Sequence, residues 1–480
     1  MVREKGNIRL GLNLPMFLAS LIAILSGIVS GLGGVWMYGV WKIAVPEFVK
    51  VGHAHGAWWG VLILIAGLLL PHSGIKLKFK KFVSLSCLFG VPLWMLALSF
   101  YYIMKGLKGV DAPWPAMAGG MIHWDFLFYG FIIFCIEAWF FGVLAIVFLS
   151  AFGLKIPFLC EEKTGISSFE LSSDIEIPRK VLWVPLALTP FGLIIGWLIT
   201  TLFKMRGLPI YPAALVQLHT HVFFFAVGYI LVLFALKAVG ARDEAFNFVY
   251  KLGSFAAISA TAGFLIFSRF PVHSVVLVVL SVPYFIMLIC GVWGLLGKFG
   301  LRQKKEAHFN YLRGAMAFAW IVMVILISVG PLISLIWDTH SDVTVTYKQP
   351  EGSVYPGAYP EKYKGTAPVV NSPRGLENLH LSPGSWSHVA LFWLLVLLIF
   401  GQQIGQILGE PTLIFMAAIT IVLAPLFNAF GRIAAWANLP SGIGGMWFAA
   451  HPLKFFNVFL LIWISLVMMF RLRKRESLKV

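Results

Sequence analysis

The sequence predicts an all-α polytopic membrane protein with twelve transmembrane helices, and three observations support this fold class. Hydrophobic residues make up 59% of the 480-residue chain and charged residues only 12%, which is about half the charged fraction of a soluble protein. Apolar runs long enough to cross a bilayer recur along the whole chain. Histidine-containing segments also stand near the starts of three of these runs, at nearly constant spacing.

The apolar runs give the order of the elements. A helix needs about 20 apolar residues to cross the bilayer. Twelve segments are close to this length, at residues 14–40, 52–71, 82–104, 121–151, 181–203, 214–236, 252–270, 273–297, 313–337, 386–408, 411–431 and 446–470. The first run is too long for a cleaved signal peptide and is expected to remain as a membrane helix. Residues 338–385 are rich in Pro, Gly, Tyr and Ser, and are expected to form an extracytoplasmic loop that either caps the outer face or simply connects two helices.

The formal charge of +17 lies mainly in short loops, which favours a topology signal over a nucleic-acid partner. With the N-terminus inside, 24 of the 37 Lys and Arg residues fall in inner segments. Because these residues accumulate on the cytoplasmic side, the sequence predicts cytoplasmic N- and C-termini in the cytoplasmic membrane of a prokaryote. The four cysteines form no CxxC or CxxCH pattern, so neither a disulfide framework nor c-type haem attachment is expected.

Eight histidines lie near the starts of even-numbered segments. They are, in chain order, His53, His55, His123, His219, His221, His273, His388 and His451. The spacing is regular, because 166 residues separate His55 from His221 and 167 separate His221 from His388. Even-numbered segments all cross the membrane in one direction. We therefore expect these histidines to share one depth, in the outer half of the membrane.

The spacing within each pair limits its chemistry. Residues two apart on a helix point roughly 200° apart, so His53 and His55 are expected to address different partners rather than one metal ion. Imidazole is the commonest side-chain metal ligand, and histidines at one depth on separate helices favour haem, since two rings can approach the iron from opposite faces. For the isolated histidines His123, His273 and His451, an interfacial ring that reaches water is the simpler alternative.

With these histidines, the chain resembles the catalytic subunit of haem–copper oxidases and nitric-oxide reductases. That family has twelve helices in three four-helix arcs around a pseudo-threefold axis, which implies arcs at about 14–151, 181–297 and 313–470 in a single membrane domain. The resemblance implies that His388, and either His53 or His55, hold a low-spin haem. It also implies that Arg432 pairs with a haem propionate, although an ordinary interfacial arginine is equally compatible with that position.

The resemblance further implies one or two haems, of b type, with copper or another non-haem metal as a further candidate cofactor, and a redox subunit or cytochrome as partner on the outer face. Three departures stand against the standard oxygen-reducing centre. Trp386 replaces the first histidine of the pair expected on the tenth helix, the seventh helix contains no histidine, and no tyrosine stands four residues after His219 or His221. A second metal centre would draw on His219 and His221, with His123, His273 or His451. An oxidoreductase with a non-standard centre is therefore expected.

Two carboxyl groups lie within the fourth apolar run. Asp125 is a candidate to accept a hydrogen bond from a metal-binding imidazole. Glu137 has either a proton or ligand role, or is a protonated, hydrogen-bonded carboxyl. The leading hypothesis is a membrane redox protein that carries electrons or handles O2 or NO at an outer-leaflet haem site. The alternatives are a transporter of a metal ion or protons that uses the same histidines, and a haem-handling assembly protein.

Overall fold

A computed structural model describes residues 6–39, 47–107, 124–161, 167–199, 210–211, 213–269, 274–299, 307–336, 347–348, 373–436 and 446–477. Twelve α-helices form nearly all of the regular structure in this part of the chain. In chain order they are α1 (Leu14–Gly39), α2 (Glu47–Leu69), α3 (Leu77–Leu107), α4 (Trp124–Phe152), α5 (Trp183–Ile199), α6 (Ala213–Ala238), α7 (Asp243–Arg269), α8 (Ser274–Leu295), α9 (Ala307–Ile336), α10 (Pro373–Leu408), α11 (Thr412–Trp436) and α12 (Met446–Ser477).

The predicted all-α membrane class is confirmed. Each of the twelve described helices contains a stretch long and apolar enough to cross a membrane. Helix faces that no other helix covers carry large apolar side chains. Phe89, Leu96 and Phe470, for example, are 67%, 68% and 70% exposed. Apolar surface on this scale is suited to lipid rather than to water, so the protein is an integral membrane protein whose surroundings are a bilayer.

Helix α10 begins earlier than hydropathy predicts, at Pro373 instead of residue 386. Hydropathy detects only the apolar part of a helix, and the first turns of α10 are too polar to be included. His388 therefore lies inside a long helix, although it still stands at the start of the apolar stretch Trp386–Leu408.

The chain divides into two compact units. Unit 1 comprises residues 1–211, 347–356 and 461–480, and unit 2 comprises residues 212–346 and 357–460. Helix α12 thus contributes its residues up to 460 to unit 2 and the remainder to unit 1. The three arcs and the single domain implied by the resemblance stay a prediction.

In unit 1, glycines allow α1 and α2 to pack with their backbones in contact. A Cβ atom at Gly56 would lie 2.7 Å from the carbonyl oxygen of Ala23 and 2.8 Å from Cα of Gly27. A Cβ atom at Gly60 would lie 2.5 Å from Cγ1 of Ile24. Small residues four apart on one helix face permit this close approach in membranes.

A pair of strands that hydropathy does not indicate joins the N-terminal segment to the α4–α5 connection. Strand β1 (Asn7–Asn13) pairs antiparallel with β2 (Glu170–Pro178). Ile75, just after α2, forms an isolated bridge with Cys160, after α4. The segments before α1, after α2 and after α4 therefore meet at one end of unit 1, as helices that alternate in direction require. A second pair joins β3 (Ile210–Tyr211) to β4 (Tyr347–Lys348).

A buried ion pair connects this strand pair to α3. The Lys80 Nζ atom lies 3.5 Å from Oε2 of Glu170, and the two side chains are 1% and 0% exposed. Glu170 also accepts hydrogen bonds from Asn13 Nδ2 at 3.1 Å and from the Ser167 backbone N–H at 2.8 Å, while Lys80 donates to the Pro71 carbonyl oxygen. Buried charges persist when they are paired and hydrogen-bonded, so the network ties the N-terminal strand to the helices.

Helix α6 is the interior helix of unit 2. Residues 229–236 are all fully buried, and a helix that is apolar and buried on every side belongs to the centre of its bundle. It packs against α7, α8 and α10. His219 and His221, near its start, are therefore carried by the most enclosed element of this unit.

Candidate functional site

The described candidate histidines lie near the starts of α2, α6 and α12, and inside α10. His388 is buried, with 1% of its surface exposed, whereas His55, His219, His221 and His451 are half-buried. The remaining candidates are His53, His123, Asp125, His273 and Arg432. Each of them either lies outside the described residues or has a side chain that the structure does not describe.

Two of the predicted histidines, His221 and His388, contact the same aromatic ring in unit 2. The ring centroid of Phe224 lies 5.9 Å from that of His221 and 5.0 Å from that of His388, with an edge-to-face angle of 71° in the second case. His221 also stacks on Phe264 of α7, at 4.2 Å and 23°. Because this cluster depends on how α6 packs against α7 and α10, spacing along the chain predicts its histidines but not their shared contact.

The orientation of His388 is set within its own helix. Its Nδ1 atom lies 3.0 Å from the carbonyl oxygen of Gly384, one turn earlier. A carbonyl oxygen can only accept a hydrogen bond, so Nδ1 carries the hydrogen and, in the neutral ring, Nε2 carries the lone pair. Histidines that bind metals commonly donate their other ring N–H to a backbone carbonyl in this way. The donor chemistry of His388 therefore fits an iron ligand at Nε2.

Tyr284 of α8 forms a hydrogen bond with the backbone of α6 beside this cluster. Its hydroxyl donates to the carbonyl oxygen of Phe224 at 2.8 Å. The hydroxyl passes over Gly228, where a Cβ atom would lie only 2.0 Å from the hydroxyl oxygen. The contact holds the residue whose ring touches both His221 and His388. No sequence pattern singles out Tyr284, because its role follows from the packing of α8 on α6.

A buried cation lies next to the helix that carries His388. Lys454 of α12 is 6% exposed, and its Nζ atom lies 4.9 Å from the ring centroid of Trp386. Trp386 in turn packs edge-to-face on Trp393, at 5.5 Å. The residue that replaces the expected histidine thus offers its ring face to a cation. Sequence reasoning missed Lys454, although it is the only Lys or Arg in residues 446–470 and a lone cation in an apolar span is a usable signal.

Unit 1 contains a second polar site, around Glu137 of α4. The indole N–H of Trp94 donates to Oε1 of Glu137 at 3.0 Å. The ring of His55 lies 6.1 Å from that of Trp94, measured between centroids. The sequence leaves Glu137 with either a proton or ligand role or that of a protonated, hydrogen-bonded carboxyl, and its partner Trp94 comes from α3 and cannot be inferred from spacing.

Among the side chains that the structure describes, no three His, Cys, Asp or Glu residues converge in a group able to hold a bare metal ion. Haem would require fewer ligands from the protein, because the porphyrin nitrogens would supply the others, and His388 would be one of the residues that hold it. Copper or another non-haem metal stays a prediction, since several of its candidate ligands lie outside the described residues.

Comparisons with known protein families and curated proteins add no relative to these geometric observations. No model of a known protein family and no curated protein matches the sequence. The resemblance to haem–copper oxidases and nitric-oxide reductases therefore depends on the histidine spacing and the number of helices.

Proposed function

We propose that this chain is a haem-binding membrane protein that carries electrons or handles a small gas, O2 or NO. The observation that carries the proposal is the 3.0 Å hydrogen bond between His388 Nδ1 and the Gly384 carbonyl oxygen. This bond orients a buried imidazole and leaves the lone pair of the neutral ring at Nε2, the nitrogen that would bind iron.

The ring of Phe224 lies edge-to-face against His388 and suits a flat, apolar cofactor. Trp386, which contacts Lys454, points to the other side of α10, because residues two apart on a helix point roughly 200° apart. When bound, haem supplies reversible one-electron chemistry and an iron atom that binds small gases. The protein's part is to hold His388 in one orientation and to exclude water from its surroundings.

The test is an absorption spectrum of the purified protein, with quantitation of iron and haem. We expect a Soret band and a reduced-minus-oxidised spectrum of b type. We expect His388→Ala to lose or shift both, because it removes the imidazole. His72→Gln is the matched control, since His72 lies at the far end of α2, where its Nε2 bonds with the Ser172 hydroxyl at 2.9 Å. Circular dichroism checks that each variant keeps its helical content.

Two results would contradict the haem proposal. One is a folded protein that contains no haem when it is produced with ample haem supply. The other is a spectrum that stays the same in His388→Ala. Stoichiometric zinc or copper without haem would instead favour the transporter alternative, which the intramembrane carboxyl of Glu137 also supports. Haem that is lost on mild washing would favour a haem-handling assembly protein.

We further propose that both termini are cytoplasmic, so that the helix starts with histidines face outward, towards a redox partner on the outer side. The support for this orientation comes from one end of unit 1, where strand β1 meets the connection after α2. Lys76, Lys78 and Lys81 lie at this end, and such residues concentrate in the cytoplasm. A cysteine introduced at the exposed Lys78 should react with a membrane-impermeant thiol reagent only after cells are opened. Reaction in intact cells would reverse the orientation.

A further inference from the structure

A pocket in unit 1 lies beside the one carboxyl group that the described spans place far from a helix end. Its volume is about 270 Å³, which includes space open to the surroundings. Helices α1 to α4 all contribute to its lining, which consists of Ala23, Ser26, Gly56, Trp59, Val91, Trp94, Glu137 and Phe140.

The carboxyl of Glu137 is directed inward by the pattern of its helix. Ile133, Phe140 and Leu144 lie four, three and seven residues away on α4, and all are buried. Residues at these spacings share a helix face, so Glu137 belongs to the face that packs against the rest of unit 1. Trp94, itself 4% exposed, donates its only hydrogen-bonding hydrogen to Oε1 of Glu137 at 3.0 Å.

We propose that Glu137, held by Trp94 at the edge of this pocket, takes up and releases a proton within the membrane. A purely structural partner for one indole N–H does not need to ionise, because a glutamine oxygen would accept the same hydrogen bond. An ionisable group in a membrane span is costly and is generally kept for function. Glu137 combines that cost with a place in the lining of the pocket.

The proton transfer is balanced by water alone. A hydronium ion that reaches the pocket gives its proton to Oε2 of the carboxylate, which leaves a neutral water and a carboxylic acid. The reverse step returns the proton to water. Oε1 keeps its hydrogen bond from Trp94 in both states, so the side chain is held in place while Oε2 exchanges.

Among the residues whose side chains the structure describes, few other titratable groups lie near Glu137. The one on α2 is His55, whose ring lies 6.1 Å from that of Trp94. On α3 it is Cys87, which lies one turn before the pocket residue Val91 on the same helix face. The α1 side contributes only the hydroxyl of Ser26, which donates to the Ala23 carbonyl oxygen. Among the described residues of these helices, Glu137 is thus the only carboxyl that lines the pocket.

A hydrophobic carbodiimide tests this inference on the full-length protein in liposomes. The reagent enters the bilayer and adds the O–H of a protonated carboxyl across a C=N bond, and the adduct rearranges to a stable acylurea that mass spectrometry locates. We expect labelling at Glu137 that increases as the pH falls, and no labelling there in Glu137→Gln. In Trp94→Phe, the carboxylate loses an N–H donor, so we expect faster labelling, on the order of tenfold where the carboxylate predominates.

Trp139→Phe is the matched control, because Trp139 lies on the same helix but is 54% exposed and packs on Phe82. In this variant, Glu137 should be labelled at the same rate as in the unsubstituted chain. Failure of Glu137 to react at any pH, or reaction at one rate at every pH, would overturn proton exchange. An unchanged rate in Trp94→Phe would overturn the role of the indole. No cofactor enters these measurements, so their outcome is independent of the haem test.

Discussion

Replacing Lys80 with methionine should loosen the N-terminal strand pair. The substitution keeps a long apolar side chain but removes the buried ammonium that lies 3.5 Å from Glu170. Removal of one partner from a buried ion pair typically costs about 3–5 kcal/mol, because the other charge stays buried. Glu170 keeps its N–H donors from Asn13 and Ser167, so we expect the lower end, about 3 kcal/mol.

Hydrogen exchange followed by mass spectrometry measures this effect locally, on peptides that cover β1. Since each 1.4 kcal/mol is about tenfold in an equilibrium constant, β1 amides should exchange on the order of a hundredfold faster in Lys80→Met. The double variant Lys80→Met/Glu170→Gln removes both charges but replaces one carboxylate oxygen with an NH2 group, so either Asn13 or Ser167 loses its acceptor. It should restore part of the protection. Lys78→Met, at an exposed position of the same helix, should change the opening free energy by less than about 0.5 kcal/mol.

Two results would refute this account of the buried pair. If β1 exchanged at the same rate in Lys80→Met and in the unsubstituted chain, the ion pair would not hold the strand. If the double variant exchanged as fast as Lys80→Met, the cost would come from lost packing or from the lost bond to the Pro71 carbonyl rather than from an uncompensated charge.

Three further substitutions test the packing. Gly56→Ala should separate α1 from α2, which should lower the free energy of unfolding by about 1–3 kcal/mol and with it the midpoint of thermal unfolding. Gly142→Ala should have little effect, because nothing lies within 4 Å of its added Cβ. Gly228→Ala should displace the Tyr284 hydroxyl and cost a similar amount, and in a Tyr284→Phe background the same change should cost measurably less. Arg179→Ala should cost about 1–3 kcal/mol, because Arg179 donates to two carbonyl groups at the end of α4; amide exchange in the last turn of α4 measures it.

The predicted histidine positions show how far spacing along the chain reaches. The apolar stretches place His55, His221 and His388 near their starts in both sequence and structure, because hydropathy and helical periodicity are local properties. The position of Trp386 can be predicted from the sequence, but its contacts cannot. The sequence shows that it replaces an expected histidine, but its contact with Lys454 depends on α12.

The hydrogen-bond partners at the candidate sites could be identified only from the tertiary structure. The sequence singles out Glu137, either as a proton or ligand group or as a protonated, hydrogen-bonded carboxyl. It does not indicate Trp94, since 43 residues separate the donor from the acceptor. Tyr284 likewise reaches Phe224 across 60 residues. Such pairs form where two helices happen to face each other, and neither residue type nor periodicity marks them in advance.

The sequence by itself determined that this is a membrane protein, that twelve apolar helices are found in the part of the chain that the structure describes, and which histidines stand near their starts. These properties follow from apolar runs of bilayer length, which each segment carries independently. Only the tertiary structure decided that the N-terminal strand pairs with residues 170–178 and that Lys80 meets Glu170. It also decided that Phe224 lies against both His221 and His388. These contacts join segments far apart in the chain, so they exist only once the helices have packed.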